Sequence, residues 1–553
     1  MLLIIGLDGA TWDLLDPWMA AGRLPNLAQL RREGQWGPLQ STVPPATLPS
    51  WSTFMTGVNP GKHGIFDFTR REPGSYAVRF VNATFRKAPT IWKLLSAAGR
   101  RVCVLGLPGT YPPENLNGCM VSGFDTPVTT RADASFVSPR ALAALVRRAG
   151  GFPFADFQEF RVSRGWHRMA LERLLRGIEV KTRLADTLLR REQWDCFLLL
   201  FGESDTVAHH FWKFHDPASP RFDAPGASEF GHAIRQVYEA LDHSIGVLRA
   251  AAPEAAVLVA SDHGFGGAGK KAVHLNRWLV KQGLQCSSPS ARSRFASGAK
   301  RMALQVVPPR IQACAFRLNG GRWAGRLESR SRFAGIDWSR TRAFSEELNY
   351  FPSVWLNVKG REPQGVVDAV DYERVRDDVC AAARALRDPE HGGPVVRRAW
   401  RREEVYEGPW VKYAPDIILD LALDGQYSYA CLPSATAPAS AATRLLDDAE
   451  CAGGKLAGMN GSHRSAGVFM LSAGRPSGGY VRGLHIADMA PTILDLCNVQ
   501  VPAEFDGKTV QSVAQPSQDP AMPAALRQRG EEYYGEAEEG EIAARLSALG
   551  YLE

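Results

Sequence analysis

The sequence has no apolar run long enough to cross a bilayer, no paired cysteines, no internal repeat and little net charge. Each absence removes a class of protein. A membrane-spanning helix needs about 20 consecutive apolar residues. The opening stretch, MLLIIGLDGATWD, reaches Asp8 after seven residues and has no basic flank. It therefore reads as the first strand of the fold, with nothing cleaved before it, rather than as a signal peptide. The nine cysteines are scattered singly and are odd in number, the pattern of reduced structural thiols in a cytoplasmic protein. The sequons at Asn82 and Asn460 then carry no glycan. A net charge of +7 over 553 residues gives no nucleic-acid signature, although it suits a small anionic substrate.

Short apolar runs recur, each ending in polar residues: LLIIGLDG, RVCVLGLPG (101–109), CFLLLFGESD (196–205) and AVLVASDHG (256–264). Each has the length of a buried strand. Amphipathic helical stretches at 23–33, 90–99, 167–192 and 232–251 separate them. Strands alternating with helices predict an α/β fold around a doubly wound, mostly parallel sheet. Ligands of such sheets lie beyond the carboxyl ends of the strands, where Asp8, Asp205 and Asp262 fall. Between 284 and 335 the pattern fades, and ten Lys or Arg face one acidic residue, Glu328. The expected organisation is a core half at 1–283, a basic inserted cap at 284–339, a second core half at 340–513, and a linker with a charged helix at 514–553. The basic stretch is also the one place suited to peripheral membrane contact. Oligomeric state leaves no trace in the sequence.

Four segments carry carboxylates and imidazoles in Gly-rich or strand-end contexts. Asp205 and His209 in ESDTVAHHFW stand one helical turn apart on one face. Asp262 and His263 are adjacent in ASDHGF, where a turn can aim both at one centre. His463 lies in MNGSHRSAG. Oxygen and imidazole ligands without thiolate suit Zn²⁺, with Mn²⁺ or iron as alternatives. Thr47 stands among Pro44, Pro45 and Pro49, before Trp51, Phe54 and Met55 at helical spacing. It can be a helix cap or a nucleophile.

Together these segments resemble the alkaline phosphatase superfamily, in its branch of type I phosphodiesterases and nucleotide pyrophosphatases. The most similar members are phosphohydrolase/phosphomutase-like proteins of undefined substrate. The matching segments are IIGLDGATWD, TLPSWSTFMTGVNPGKHGIFDF, GESDTVAHHFW, ASDHGFG, HLNRWL, NGSHR and IADMAPTILDLCNVQVPAEFDGKTV, from residue 1 to about 513. The resemblance implies an alkaline-phosphatase-type sheet with an inserted cap and two divalent ions. Asp8, Asp262, His263 and the Thr47 oxygen hold one ion; Asp205, His209 and His463 hold the other. It implies Thr47 as nucleophile, a covalent phosphothreonine, and hydrolysis of a phosphoester, most readily a phosphodiester. The alternatives are a phosphoryl or head-group transferase using the same site, and a metal-binding sensor or partner-binding protein.

One departure stands out. An asparagine amide is expected shortly after His63-Gly64-Ile65, but Asp67 and Phe68 occupy that stretch. The substitute donors to phosphoryl oxygen are the Thr47 backbone N–H, Arg70, Lys270, Lys271 and His274, the last three brought in by a Gly-rich loop. That loop, GFGGAGKK, lacks the final Ser/Thr of a P-loop. TLPSW lacks the convertible residue and the arginine of sulfatases. His210 and His215 are expected at the surface or behind the ligands.

Overall fold

The computed structural model describes residues 1–127, 134–155, 157, 162, 164–287, 332–333, 335–436, 441–452, 458–473, 479–510, 530, 532–549 and 551–552. The basic stretch expected to form a cap or membrane contact therefore lies almost wholly outside the described residues.

Strand β1 (Leu2–Leu7) is central to a ten-stranded sheet. It pairs in parallel with Cys196–Phe201 on one side and Ala256–Ala260 on the other. Val102–Leu107 and Gly118–Ser122 extend the parallel set beyond Cys196–Phe201. On the far side Ala466–Ser472 runs antiparallel to Ala256–Ala260 and to β2 (Gln35–Gln40). The expected strands form the parallel centre; the reversed strand beside it, Ala466–Ser472, comes from the chain's second half, and a short one, Val137–Ser138, runs antiparallel to Gly118–Ser122 at the opposite edge.

Alternation along β1 divides the core. Leu3, Ile5 and Leu7 face the helices Trp166–Arg191 and Ala233–Ala251. Leu2 and Ile4 face Thr47–Thr56, Ile91–Ala97 and Met489–Leu496. Both faces are covered, so the strands read as continuous apolar runs. The Met489–Leu496 helix is the buried scaffold expected from DMAPTILDL, and Trp278 is buried in a separate core.

That separate core belongs to residues between the two sequence halves of the main sheet. Ala343–Phe344, Ser353–Leu356, Ile417–Leu421 and Val396–Arg401 form a four-stranded sheet. Leu423–Asp424, Tyr427–Cys431, Gly264–Val273 and Thr443–Leu445 form another, joined by Gly461–Arg464. The segment GFGGAGKK is thus a strand, not the expected loop. Its glycines admit close neighbours: a Cβ on Gly264 would stand 2.0 Å from the Ala466 carbonyl oxygen.

Candidate active site

The Thr47–Thr56 helix settles the status of its threonine. Ala46 is the N-cap residue and no side chain caps the helix. Thr47 occupies the first turn with its hydroxyl free for other partners. Pro49 also sits in that turn, where a missing N–H leaves no helical bond unmade. Gly57, at φ 69°, ends the helix in the left-handed conformation. The Thr47 Oγ1 atom lies 3.2 Å from His263 Nε2 and 2.5 Å from the Tyr551 hydroxyl.

Three carboxylates converge below it. Asp8 follows β1 directly, and its Oδ2 accepts from Trp51 Nε1 at 3.2 Å. Gly9, at φ 65°, turns the backbone so that its N–H donates to Asp262 Oδ1 at 3.2 Å. A side chain there would be strained and would meet Asp205 Oδ1 and the Phe265 ring at 3.0 Å. Asp205 and His209 lie on one helix, Glu203–His215, with His209 Nε2 3.4 Å from Asp205 Oδ1.

Sheet register delivers the remaining imidazole. Gly461–Arg464 pairs antiparallel with the start of Gly264–Val273, placing His463 opposite Phe265. His463 thereby stacks on His263 with ring centroids 3.7 Å apart. Its Nε2 stands 3.1 Å from His209 Nε2 and 3.5 Å from Asp205 Oδ1.

The donor chemistry fits divalent cations. Each histidine commits Nδ1 to a backbone carbonyl: His263 to Gly264, His209 to Gly461 and His463 to Pro45, at 2.9–3.0 Å. With Nδ1–H donating, each Nε2 is left as a lone-pair donor facing the cluster. The Pro45 bond gives one of the braced prolines a direct part in aiming the His463 ring. Opposite these nitrogens, Asp8 Oδ1, Asp205 Oδ1 and Asp262 Oδ2 are buried and accept no hydrogen bond. Asp8 Oδ1 and Asp262 Oδ2 stand 3.5 and 3.4 Å from His263 Nε2. Buried anionic oxygens without donors are costly unless a cation faces them. Asp8, Asp262 and His263 form one set with ligand atoms within 4.8 Å of one another; Asp205, His263 and His463 form a second.

The electrostatics agree. Burial, reinforced by Asp205, pushes the Asp8 carboxyl up to about 8. Burial and Asp8 push Asp262 well up. Burial holds His263 and His463 below the usual imidazole range, so both are neutral at pH 7. Without a cation, the Asp8–Asp262 pair therefore retains protons at neutral pH that a bound cation must displace. Loading Zn²⁺ at pH 7 is expected to release protons and to tighten as pH rises toward 8. Titration calorimetry in buffers of different ionisation enthalpy checks this: the observed heat should change with buffer.

Of the substitute donors, none of three is available. Lys270 pairs with Asp448 at 2.7 Å. Lys271 sits among Asp388, Glu390 and Asp424 at 2.9–3.2 Å. His274 donates from Nδ1 to the Leu432 carbonyl and accepts at Nε2 from Arg444 Nε. The strand Gly264–Val273 carries the two lysines into these pairs, and His274 follows it as the N-cap residue of Leu275–Lys281, placements that the loop reading missed. Arg70 lies over the rings of Phe85 and Tyr413. His210, expected at the surface or behind the ligands, is buried between Phe157 and Trp166. His215 packs by its ring against Trp18 and Trp212. Asn82 is buried, caps Ala83–Phe85 and donates to the Glu532 carbonyl; Asn460 is fully buried.

Several functional neighbours escaped the sequence reading. Tyr350 stacks on His463 with centroids 4.1 Å apart, and its hydroxyl is 3.4 Å from His209 Nδ1. Lys181, ion-paired with Glu203 at 3.0 Å, lines the same small cavity as Asp8, Thr47 and Asp205. Tyr551 reaches Thr47 from 504 residues away in sequence. On the other side of His463 a cavity of about 340 Å³ opens, walled by Val43, Pro44, Pro45, Tyr350, Arg398 and Trp400. Among the described residues no helix is long and apolar enough to cross a membrane.

Comparison with known proteins identifies the family and the fold. Residues 2–437 match the family model described as type I phosphodiesterase / nucleotide pyrophosphatase. The fold is similar to phosphonoacetate hydrolase from Sinorhizobium meliloti 1021 with phosphonoformate, with TM-score 0.51 and 16% identity over 90% of this chain and 95% of that one. The same enzyme with phosphonoacetate gives 0.50 and 17%, over the same shares. Murine ectonucleotide pyrophosphatase / phosphodiesterase 5, in an inactive form with AMP, gives 0.47 and 13%, over 93% of this chain and 99% of that one. Among curated proteins nothing matches the sequence.

Proposed function

We propose, for a chain that belongs to the type I phosphodiesterase / nucleotide pyrophosphatase family, hydrolysis of phosphodiesters through a phosphothreonine at Thr47 with two divalent ions. Family membership makes it a phosphoester hydrolase of the alkaline phosphatase superfamily. The single observation that carries the finer reading is the Thr47 hydroxyl, uncommitted to capping, set over three donor-less carboxylate oxygens and three Nε2 atoms.

Asp8, Asp262 and His263, with Thr47, are assigned to one ion, and Asp205, His209 and His463 to the other. Zn²⁺ suits the donors best, with Mn²⁺ as second choice. Bound there, such ions lower the pKa of the threonine hydroxyl and offset charge on attacking and leaving oxygens. The chain's own residues do the rest. Thr47 Oγ1 gives up its proton to solvent and attacks phosphorus, forming the Oγ–P bond as the P–O bond to the leaving group breaks; the leaving oxygen keeps the electron pair and takes a proton from water. Free N–H groups in the first turn of the Thr47 helix face the anionic phosphoryl group. Pro45, Gly264 and Gly461 carbonyls keep the imidazoles aimed. Water then attacks phosphorus, the Oγ–P bond breaks, and Thr47 is regenerated. The cavity beside His463 gives the leaving group room. The unpaired thiols of the eight described cysteines fit a cytoplasmic setting.

The test is turnover of bis-p-nitrophenyl phosphate and p-nitrophenyl phosphate with added Zn²⁺ or Mn²⁺. Faster hydrolysis of the diester supports the reading. Loaded protein inert toward every phosphoester tried rejects it.

A further inference from the structure

Residues 532–549, 551 and 552 are built into the candidate active site. Its helix, Glu536–Ala548, is docked by specific bonds rather than laid on the surface. Arg545 donates to the Phe124 and Thr126 carbonyls at 2.6 and 2.5 Å. The Tyr534 hydroxyl donates to the Asp125 carbonyl at 2.9 Å, and Tyr111 donates to Glu538 at 2.6 Å. Glu532 N–H donates to Thr84 Oγ1 at 2.8 Å. Ile542, Leu546 and Leu552 are buried in a shared core with Leu48, the residue after Thr47. These contacts fix Tyr551. Its ring packs on Phe68, centroids 4.1 Å apart, and edge-on to Tyr350 at 5.4 Å. Its hydroxyl lies 2.5 Å from Thr47 Oγ1.

We propose that Tyr551 is a catalytic residue: its hydroxyl donates to the Thr47 oxygen at rest and to a non-bridging phosphoryl oxygen once that threonine has attacked. This rests on the phosphothreonine reading above. The non-bridging oxygens of a phosphoryl group on Oγ1 lie one bond beyond that atom, within reach of the same donor. The tyrosine keeps its proton throughout; only its acceptor changes. Lys270, Lys271 and His274, the basic residues nearest in sequence to the Asp262–His263 pair, are engaged elsewhere, and the Tyr551 hydroxyl, already on Thr47 Oγ1, adds a side-chain donor to the first-turn N–H groups. A tail held by this many bonds is a fixed wall of the site rather than a plug that must leave before turnover.

The experiment uses full-length, Zn²⁺-loaded protein and compares wild type, Tyr551→Phe and Leu552→Ala. Tyr551→Phe keeps the ring packing and removes one oxygen. It is expected to lower kcat roughly 10- to 100-fold, within the range for loss of one oxyanion donor, with KM within about threefold. Orthovanadate affinity, read by thermal shift and independent of turnover, should weaken about tenfold. Leu552→Ala loosens the same tail but keeps the hydroxyl, and should cost clearly less than Tyr551→Phe in both measurements. Unchanged kcat and vanadate affinity in Tyr551→Phe overturns the proposal. So does an increase in kcat, which would mark Tyr551 as a plug, and so do equal losses in both variants, which would assign the effect to packing. Wild type that binds vanadate but hydrolyses no phosphoester sinks the proposed function instead, and the vanadate comparison still reads the hydroxyl.

Discussion

Thr47→Ala is expected to lower kcat by at least roughly 10³-fold, the scale on which removal of a covalent nucleophile registers. The fold should survive the change. Thr47 caps nothing, and its helix is held by Trp51, Phe54 and Met55 in the core. Metal content should remain near wild type, because five of the six Asp and His ligands do not contact the hydroxyl and the sixth, His263, is oriented independently by the Gly264 carbonyl. The discriminating measurement is chemical. Wild type quenched in acid during turnover of a ³²P-labelled diester should carry label on Thr47, found by peptide mass analysis. Thr47→Ala should carry none. A variant retaining more than a tenth of wild-type kcat would remove Thr47 from the reaction.

The second large effect concerns the carboxylates. Asp262→Asn is expected to abolish measurable turnover while making the metal-free protein more stable at alkaline pH. The two results have one cause. Asp262 is fully buried, and burial together with Asp8 raises its pKa. A carboxyl raised in the folded state contributes a penalty that is absent below its unfolded value near 4 and grows as pH rises toward its folded value. The penalty grows by up to about 1.4 kcal/mol per pH unit. Asn carries no charge and should remove it, so the metal-free variant should melt above metal-free wild type at pH 8, with the gap closing toward pH 4. Added Zn²⁺ should reverse the order. At 100 times Kd each ion stabilises the wild-type fold by about 2.7 kcal/mol, and the variant lacks one anionic ligand. Melting curves at pH 4, 6 and 8, with and without Zn²⁺, check both halves. Equal zinc stabilisation of the two proteins would remove Asp262 from the metal set.

How much of this was legible beforehand varies by residue. Asp205 and His209 were readable because they are neighbours on one helix, and helical spacing alone puts them on one face. Asp8 and Asp262 were readable because β1 and Ala256–Ala260 are apolar runs of strand length whose ends must fall at the same edge of a parallel sheet. The Gly-rich segment was misread because glycine permits both a loop and a strand in close contact with its neighbours, and the choice rests on partners such as Ala466 that local sequence does not specify. Lys270, Lys271 and His274 went with it, since strand register sends them toward Asp388, Asp448 and Arg444.

The sequence by itself determined the α/β class, the parallel centre of the sheet, the helix that begins at Thr47 and the residue types gathered at its mouth. These follow from period, run length and turn chemistry, which act over a few residues. Only the tertiary structure decided that Thr47 is not a cap, that His463 stacks on His263 through a strand pair nearly 200 residues apart in sequence, and that the Tyr551 hydroxyl meets Thr47 Oγ1. Those outcomes depend on long-range register and on packing of Phe68 against a distant segment, and the free energies that select them come from contacts between stretches carrying no local signal of one another.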